Sequence, residues 1–265
     1  MKILITGAHG FVGNRLMQDL DDTVAAPSMR SMSEEQIRNM IEKSRADVII
    51  HTAAISDVGT CEKNPGASYE ANVRLPLFLA KAAKEQKLIC FSSDQVYRGC
   101  AGEGPYKEED ASPCNVYGRH KLEMEQKVLD VKPDAVMLRA EWMYDYPTKR
   151  SNYLRMLLNE KQVLTFGKQY RGITYLREVA ENMPKIFMLP GGVYNFGSET
   201  KQTMYDITCE MLRFLKSDRK PEEVPPAHNL WMDCTKAKER GILFSDAKEG
   251  LKRCLKDYHL AKDRE

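Results

Sequence analysis

Tyr117 and Lys121 stand four residues apart in the run Tyr117-Gly118-Arg119-His120-Lys121. On a helix that spacing places both side chains on one face, one turn apart. A tyrosine with its ordinary pKa of about 10 is a poor acid or base near neutrality, and an adjacent ammonium group stabilises the phenolate and lowers that value. Tyr117 could then exchange a proton with a carbonyl or an alcohol. The same spacing also occurs as a plain surface pair on helices. Ser92 and Ser93 stand 25 and 24 residues before the tyrosine, at the end of the apolar run Leu88 to Phe91. A hydroxyl at the C-terminal end of a strand lies in the crevice where open α/β sheets bind ligands, and could hydrogen-bond the same substrate oxygen. Asn72 is a further polar candidate, and reads equally well as a buried structural amide.

A second cluster supplies phosphate chemistry. Thr6-Gly7-Ala8-His9-Gly10-Phe11-Val12-Gly13 follows an apolar run, Ile3 to Thr6, and opens a helix-spaced segment. Gly7 permits a tight turn, Gly10 lets backbone approach a pyrophosphate, and Gly13 lets helix lie close against strand. The helix N-terminus adds N–H donors and the positive end of its dipole. About 20 residues further on, an acid would select NADH and a base NADPH. Ala25-Ala26-Pro27-Ser28-Met29-Arg30 holds no acid. Arg30, assisted by Ser28, could pair with a 2′-phosphate, which leans towards NADPH and leaves NADH open. His9 has no partner visible in the sequence.

These groups need elements to hold them. Strand signals at Ile3 to Thr6, Thr23 to Ala26, Val48 to Ile50, Leu88 to Phe91 and Ala135 to Leu138 alternate with helix signals. The helices are expected at Phe11 to Leu20, from a cap at Ser33 with Gln36 in the reciprocal position to near Arg45, at Tyr69 to Lys84 and at Asn115 to Val131. Such alternation predicts a Rossmann-type α/β fold, a doubly wound parallel sheet with helices on both faces. Ser93 to Pro113 reads as a loop, too polar for core and long enough to be functional. After about residue 145 the rhythm loosens. Helices are expected at Asn152 to Asn159, Leu176 to Phe187 and Met204 to Lys216, a strand at Val193 to Phe196, a break at Pro225-Pro226, and a helical end with a frayed, charged tail. The organisation expected is a dinucleotide-binding domain over residues 1–145 and a smaller substrate-binding lobe over 146–265, with the chain interleaving near the boundary.

With 265 residues, 40 Lys+Arg against 38 Asp+Glu and 42% hydrophobic residues, the composition is that of a globular protein. The near balance of charge argues against a nucleic-acid partner that needs a broad basic face. No window approaches the roughly 18 apolar residues of a membrane span. The N-terminal run reaches glycine after six residues, short for a signal peptide. Seven scattered cysteines without a Cys-x-x-Cys pair read as reduced, mostly structural thiols, which points to the cytoplasm. No metal site is expected.

Taken together, TGAHGFVG at 6–13, HTAA at 51–54, FSSDQVY at 91–97 and YGRHK at 117–121 resemble the extended short-chain dehydrogenase/reductase family. Within it the chain is most similar to the dTDP-4-dehydrorhamnose reductase group, whose Ser-Thr-Asp-Tyr-Val-Phe, Pro-x-Asn-x-Tyr-Gly-x-x-Lys-Leu-x-x-Glu and Leu-Arg-x-x-Trp-x-Tyr runs are matched at 92–97, 113–125 and 138–144. The resemblance covers roughly residues 1–210. It implies reduction of a nucleotide-linked 4-keto-6-deoxy sugar by NADPH or NADH. Ser93 would orient the keto oxygen, Tyr117 would donate the proton, and Lys121 would tune the tyrosine and hold the nicotinamide ribose. It places Gly7, Gly10, Phe11, Val12 and Gly13 at the pyrophosphate, Ala53, Ala54, Ile55 and Asn72 beside the cofactor, and Trp142 and Gln169 near the sugar nucleotide. Two stretches depart from the group's pattern. The segment at 30–33 is short, and in Lys168-Gln169-Tyr170-Arg171-Gly172-Ile173-Thr174 the group's glycine is Arg171 and its proline Ile173. Arg171 either contacts the substrate's diphosphate or blocks the usual substrate. Two alternatives stay open: an epimerase or dehydratase that retains NAD, and a non-catalytic regulatory subunit that binds NAD(P). A homodimer is allowed by the resemblance.

Overall fold

In the computed structural model, which describes residues 1–148 and 150–260, the chain opens with β1 (Ile3–Thr6), α1 (Phe11–Asp19), β2 (Thr23–Ala25), α2 (Glu34–Ser44) and β3 (Val48–His51). Then α3 (Val58–Lys63), α4 (Pro65–Tyr69) and α5 (Leu75–Ala82) lead to β4 (Lys87–Ser93), and α6 (Val116–Val131) leads to β5 (Val136–Ala140) and β6 (Trp142–Tyr144). Next come α7 (Tyr153–Leu158), β7 (Thr165–Phe166), β8 (Ile173–Tyr175), α8 (Leu176–Ile186) and β9 (Gly192–Phe196). The last described elements are α9 (Met204–Phe214), β10 (Glu222–Glu223), α10 (Thr235–Lys238) and α11 (Ala247–Asp257).

Six strands form one parallel sheet in the order β2-β1-β3-β4-β5-β9. Successive residues of a strand face opposite sides, and here each side has its own core. Ile3, Ile5, Val48, Ile50, Ile89 and Phe91 pack with Leu16 of α1 and Val179 and Met183 of α8. Leu4, Ile49, Leu88 and Cys90 pack with Ile37 of α2, Leu79 of α5 and Met124 and Val128 of α6. The expected doubly wound Rossmann-type sheet is therefore present. Strand order reverses between β1 and β3, and ligands of such sheets bind outside the strand ends at that reversal.

A separate apolar cluster, including Tyr144, Tyr153, Phe166, Ile173, Tyr175, Ile207 and Leu251, gathers the later elements around the two-stranded β6–β8 pair. The chain interleaves, since α8 and β9 come after residue 146 yet belong to the main sheet. Local chemistry sets the expected start of α2. Ser33 Oγ accepts the Gln36 N–H while Gln36 Oε1 accepts the Ser33 N–H, so two otherwise unpaired donors are satisfied reciprocally.

Two expectations are corrected. The long helix expected over Tyr69 to Lys84 is instead α4, a π-turn at Glu70–Arg74, and α5. Pro76 has no N–H to close on the carbonyl four residues earlier, and the wide turn accommodates that missing bond. The segment from Ser93 to Pro113 is not a purely polar loop. It forms 3-10 turns at Asp94–Tyr97 and Glu108–Asp110, and buries Val96, Tyr97 and Tyr106 against Leu230 and Met232. Val96-Tyr97 and the distant Tyr106 are too few and too far apart to form a period that would reveal them. The short strands β6, β7, β8 and β10 and the helices α3 and α10 also went unread. The charged tail expected at the C-terminus falls largely on residues 261–265, outside the described residues.

Candidate active site

Gly7 ends β1 with φ at +73°, where a side chain is strained, and a Cβ there would lie 2.7 Å from the Ala53 nitrogen. A Cβ on Gly13 would lie 2.2 Å from the Gly7 carbonyl oxygen, so only glycine lets α1 lie this close to the turn. Gly10 is the N-cap of α1 and donates its N–H to Gly7 O at 2.8 Å. The N–H groups of Phe11, Val12 and Gly13 come before the intrahelical ladder begins and point out of the helix end with the positive dipole. A groove of about 530 Å³ runs past this turn, lined by Gly7, Gly10, Ala53, Ala54, Ile55 and Arg30 among others. Volume, glycine cradle and helix end together fit a dinucleotide.

Arg30 is exposed on that groove. Arg74, which sequence reasoning passed over, lines it too, paired with Glu70. Asn72 sits behind the wall. It is fully buried, its Oδ1 accepts the Ile55 N–H at 3.1 Å, and its Nδ2 donates to Ile55 O at 2.9 Å. In this structure it shapes the cofactor-side loop rather than lining the groove.

The two serines part company because neighbouring strand residues face opposite ways. Ser92 Oγ donates to Glu125 of α6, which also takes the buried Arg139 guanidinium at 2.7 Å. Ser93 Oγ, on the other face, donates to Asp94 Oδ1 at 3.1 Å and accepts the Gln95 N–H at 3.2 Å. Tyr117, Lys121 and Glu125 follow at four-residue intervals along one buried face of α6. Asn115 Oδ1 caps that helix by accepting the Gly118 N–H at 2.7 Å. A Cβ on Gly118 would lie 2.4 Å from Gln95 O, so glycine lets α6 close on the end of β4 and bring Tyr117 to Ser93.

Burial pushes the Tyr117 phenol above its ordinary range, a hydrogen bond with Ser93 pulls it back, and Asp94 and Cys61 add to the rise while Arg150 opposes it. Lys121 is also buried, and burial draws it down to about 8 against the opposing pull of Cys90, Glu125 and Cys61. On balance the Tyr117 phenol is raised, because burial outweighs the groups that lower it. The ammonium donates to Phe91 O at 2.7 Å and lies 5.8 Å from the phenol ring centre, so desolvation decides the tyrosine's protonation. A neutral phenol is the proton-donating form. Beneath the lysine, His51 binds Thr6 Oγ1 through Nδ1 at 2.7 Å, its Nε2 has no partner, and burial with Lys121 nearby holds it down at about 3.

The later segments meet this set from the other side. Arg171, two residues before β8, reaches Asp94 Oδ2 with Nε at 3.0 Å and a terminal nitrogen at 2.8 Å, and its guanidinium lies 5.2 Å from a Trp142 ring centre. Glu141 is buried between Gly172 and Gly197, where a Cβ would come within 2.0 and 2.2 Å of its oxygens. Its pKa is raised well above the ordinary value by burial, with Thr174 opposing through a 2.9 Å hydrogen bond and Asp94 adding to the rise. Gln169 spends its side chain on the Ala227 N–H at 3.3 Å, so it ties down the segment after Pro225-Pro226. A larger hollow of about 680 Å³ borders Gly197, Glu199, Cys234 and Lys238 and holds none of Ser93, Tyr117 and Lys121. Asp94, Glu141 and Arg150 were missed as partners of the site. Their only sequence signal was membership of runs already singled out, SSDQVY and LRAEWMY for the two acids.

A family model described as RmlD substrate binding domain matches residues 1–260. A dTDP-4-dehydrorhamnose reductase of Aggregatibacter actinomycetemcomitans is 28% identical over 84% of this chain and 82% of its own. Methionine adenosyltransferase 2 subunit beta of Danio rerio is also 28% identical, over 78% of this chain and 72% of its own. Among solved structures, a dTDP-4-dehydrorhamnose reductase of Bacillus anthracis in complex with NADP superposes with a TM-score of 0.85 at 22% identity, covering 97% of this chain and 99% of that one.

Proposed function

The chain belongs to the RmlD substrate binding domain family, and from that premise we propose that it is an NADPH-dependent reductase of a nucleotide-linked 4-keto-6-deoxy sugar. The observation that carries this is the Ser93–Tyr117–Lys121 set at the C-terminal end of β4 and the start of α6, with the phenol held protonated by burial. Bound NADPH supplies the hydride to the ketone carbon. Gly7, Gly10 and the first N–H groups of α1 would hold its pyrophosphate, and Arg30 its 2′-phosphate. Ser93 turns its hydroxyl from Asp94 to the carbonyl oxygen and polarises it. Tyr117 delivers its proton to that oxygen as the alkoxide forms, which makes the alcohol. Lys121, anchored on Phe91 O, holds positive charge beneath the phenol and at the place for the nicotinamide ribose.

Trp142, lying under Arg171, forms the sugar side of the crevice. The cofactor part centres on residues 1–145 and the substrate part on 146–265 with the chain interleaving, since Tyr144 joins the later apolar cluster while α8 packs on the main sheet and β9 extends it. The seven cysteines are all free, which supports a cytoplasmic enzyme, and a homodimer belongs to the same reading.

The relatedness to an adenosyltransferase beta subunit favours one second reading, a dinucleotide-binding subunit without turnover. The complete Ser93, Tyr117 and Lys121 set weighs against it. Following the nicotinamide absorbance while adding dTDP-4-keto-6-deoxy sugars separates the two. Stoichiometric oxidation of NADPH supports the reductase. Tight binding with no oxidation of any ketosugar supports the subunit, and cofactor retained through purification with no net oxidation supports an epimerase.

A further inference from the structure

Arg171 turns part of its guanidinium to the carboxylate beside Ser93. Nε and one terminal nitrogen both go to Asp94 Oδ2, and the guanidinium face lies over Trp142. The carboxylate it holds is 2% exposed and is the immediate neighbour of Ser93. Its other oxygen, Oδ1, accepts the Ser93 hydroxyl proton. Ser93 therefore has two claimants for one proton, Asp94 and the carbonyl oxygen of a ketone. A buried carboxylate without a counter-charge is a strong acceptor, and an adjacent guanidinium weakens its hold on a third group. The groups facing Asp94 are Arg171, Glu141 and Tyr117, and those facing Tyr117 from its other sides are Lys121, Cys61 and Arg150. Among these, Arg171 makes direct contact with the carboxylate as a cation.

We propose that Arg171 acts through Asp94 as a positioning residue for Ser93, holding the carboxylate so that the catalytic hydroxyl is released to the substrate's carbonyl oxygen. The pair also joins the segment before β8 to the end of β4. This rests on the reductase reading above, and deepens it by assigning a residue at which the chain departs from its family's pattern.

The test is a two-site cycle in steady-state NADPH oxidation, with Arg171→Ala, Asp94→Asn and the double variant, each checked for wild-type circular dichroism and NADPH affinity. Arg171→Ala is expected to lower kcat about tenfold while the KM for the ketosugar changes by less than about threefold, because one charge-assisted hydrogen bond is redirected rather than a binding contact removed. Asp94→Asn added to it should restore most of kcat, since a neutral amide no longer retains the serine proton. Where Arg171→Ala does not fold, Asp94→Asn and the double variant carry the test: equal kcat and KM in the two support action through Asp94, and a double variant slower than Asp94→Asn or with a higher KM overturns it. A raised KM with kcat intact in Arg171→Ala, or a double variant no faster than Arg171→Ala, overturns the proposal and leaves the reductase in place. A wild type inert towards every ketosugar overturns the functional reading itself, and the positioning role with it.

Discussion

Lys121 carries an ammonium group in a site only 2% exposed, and burial lowers its pKa to about 8. A lysine lowered in this way keeps its charge below that value and loses it above. Turnover is therefore expected to be level near pH 6–7 and to fall as pH rises through about 8, with the limb absent and activity about a hundredfold lower in Lys121→Met. A wild-type profile level to well above that value contradicts the assignment. His51 works in the opposite pH direction. It stays neutral in the folded chain down to about 3, whereas in the unfolded chain it takes up a proton near its ordinary value of about 6.5. The unfolded state thus binds the proton first, and stability worth up to about 5 kcal/mol is lost as pH falls from about 6.5 towards 3. Denaturant titrations at several pH values should show a shallower acid loss in His51→Asn. At this scale Tyr117, Lys121 and Ser93 were legible because their relation is local spacing. Asp94 and Arg171 were not legible as partners, since a contact between residues 77 positions apart leaves no trace in either neighbourhood.

The helix α6 shows how an element aims chemistry. Its buried face carries Tyr117, Lys121 and Glu125, and Gly118 brings that face against the Gln95 carbonyl. Gly118→Ala puts a methyl where only 2.4 Å separates it from that oxygen. It is expected to cost about 1–3 kcal/mol by thermal unfolding and to lower kcat more than it weakens NADPH binding, because Tyr117 is moved and the glycine turn is not. Elements with their own chemistry were read well. The reciprocal cap at Ser33 and Gln36 and the unbroken apolar runs of β1, β3 and β4 needed no tertiary help. The three-residue strands β6 and β8 exist only through each other, Trp142 opposite Ile173 and Tyr144 opposite Tyr175, so neither carries a period of its own. The π-turn at Glu70–Arg74 was likewise hidden, because Pro76 can end, kink or widen a helix and only packing selects among these.

Across the whole molecule, the main sheet and the later elements are joined by few buried charges. Arg15 of α1 bonds Asp145 at 3.0 Å, the Tyr258 hydroxyl at 2.7 Å and Asp19 at 2.7 Å, and so ties the first helix to the end of the chain's last described helix. Removing one partner of a buried pair strands the other. Arg15→Ala is expected to destabilise the protein by about 3 kcal/mol in denaturant unfolding. The alternating sheet was legible over its first five strands. The interleaving of α8 and β9 into it could be guessed but not placed, since parallel pairing of Val136 with Gly192 is a long-range event. What the architecture delivers is a buried phenol near the end of β4, and the proposed reduction depends on it. The most direct measurement compares wild type and Tyr117→Phe for NADPH oxidation by a dTDP-4-keto-6-deoxy sugar, with NADPH affinity measured on both. Equal affinity and a loss of at least about a hundredfold in kcat are expected for the phenylalanine variant. Turnover by that variant at the wild-type rate would contradict the role of Tyr117 as proton donor.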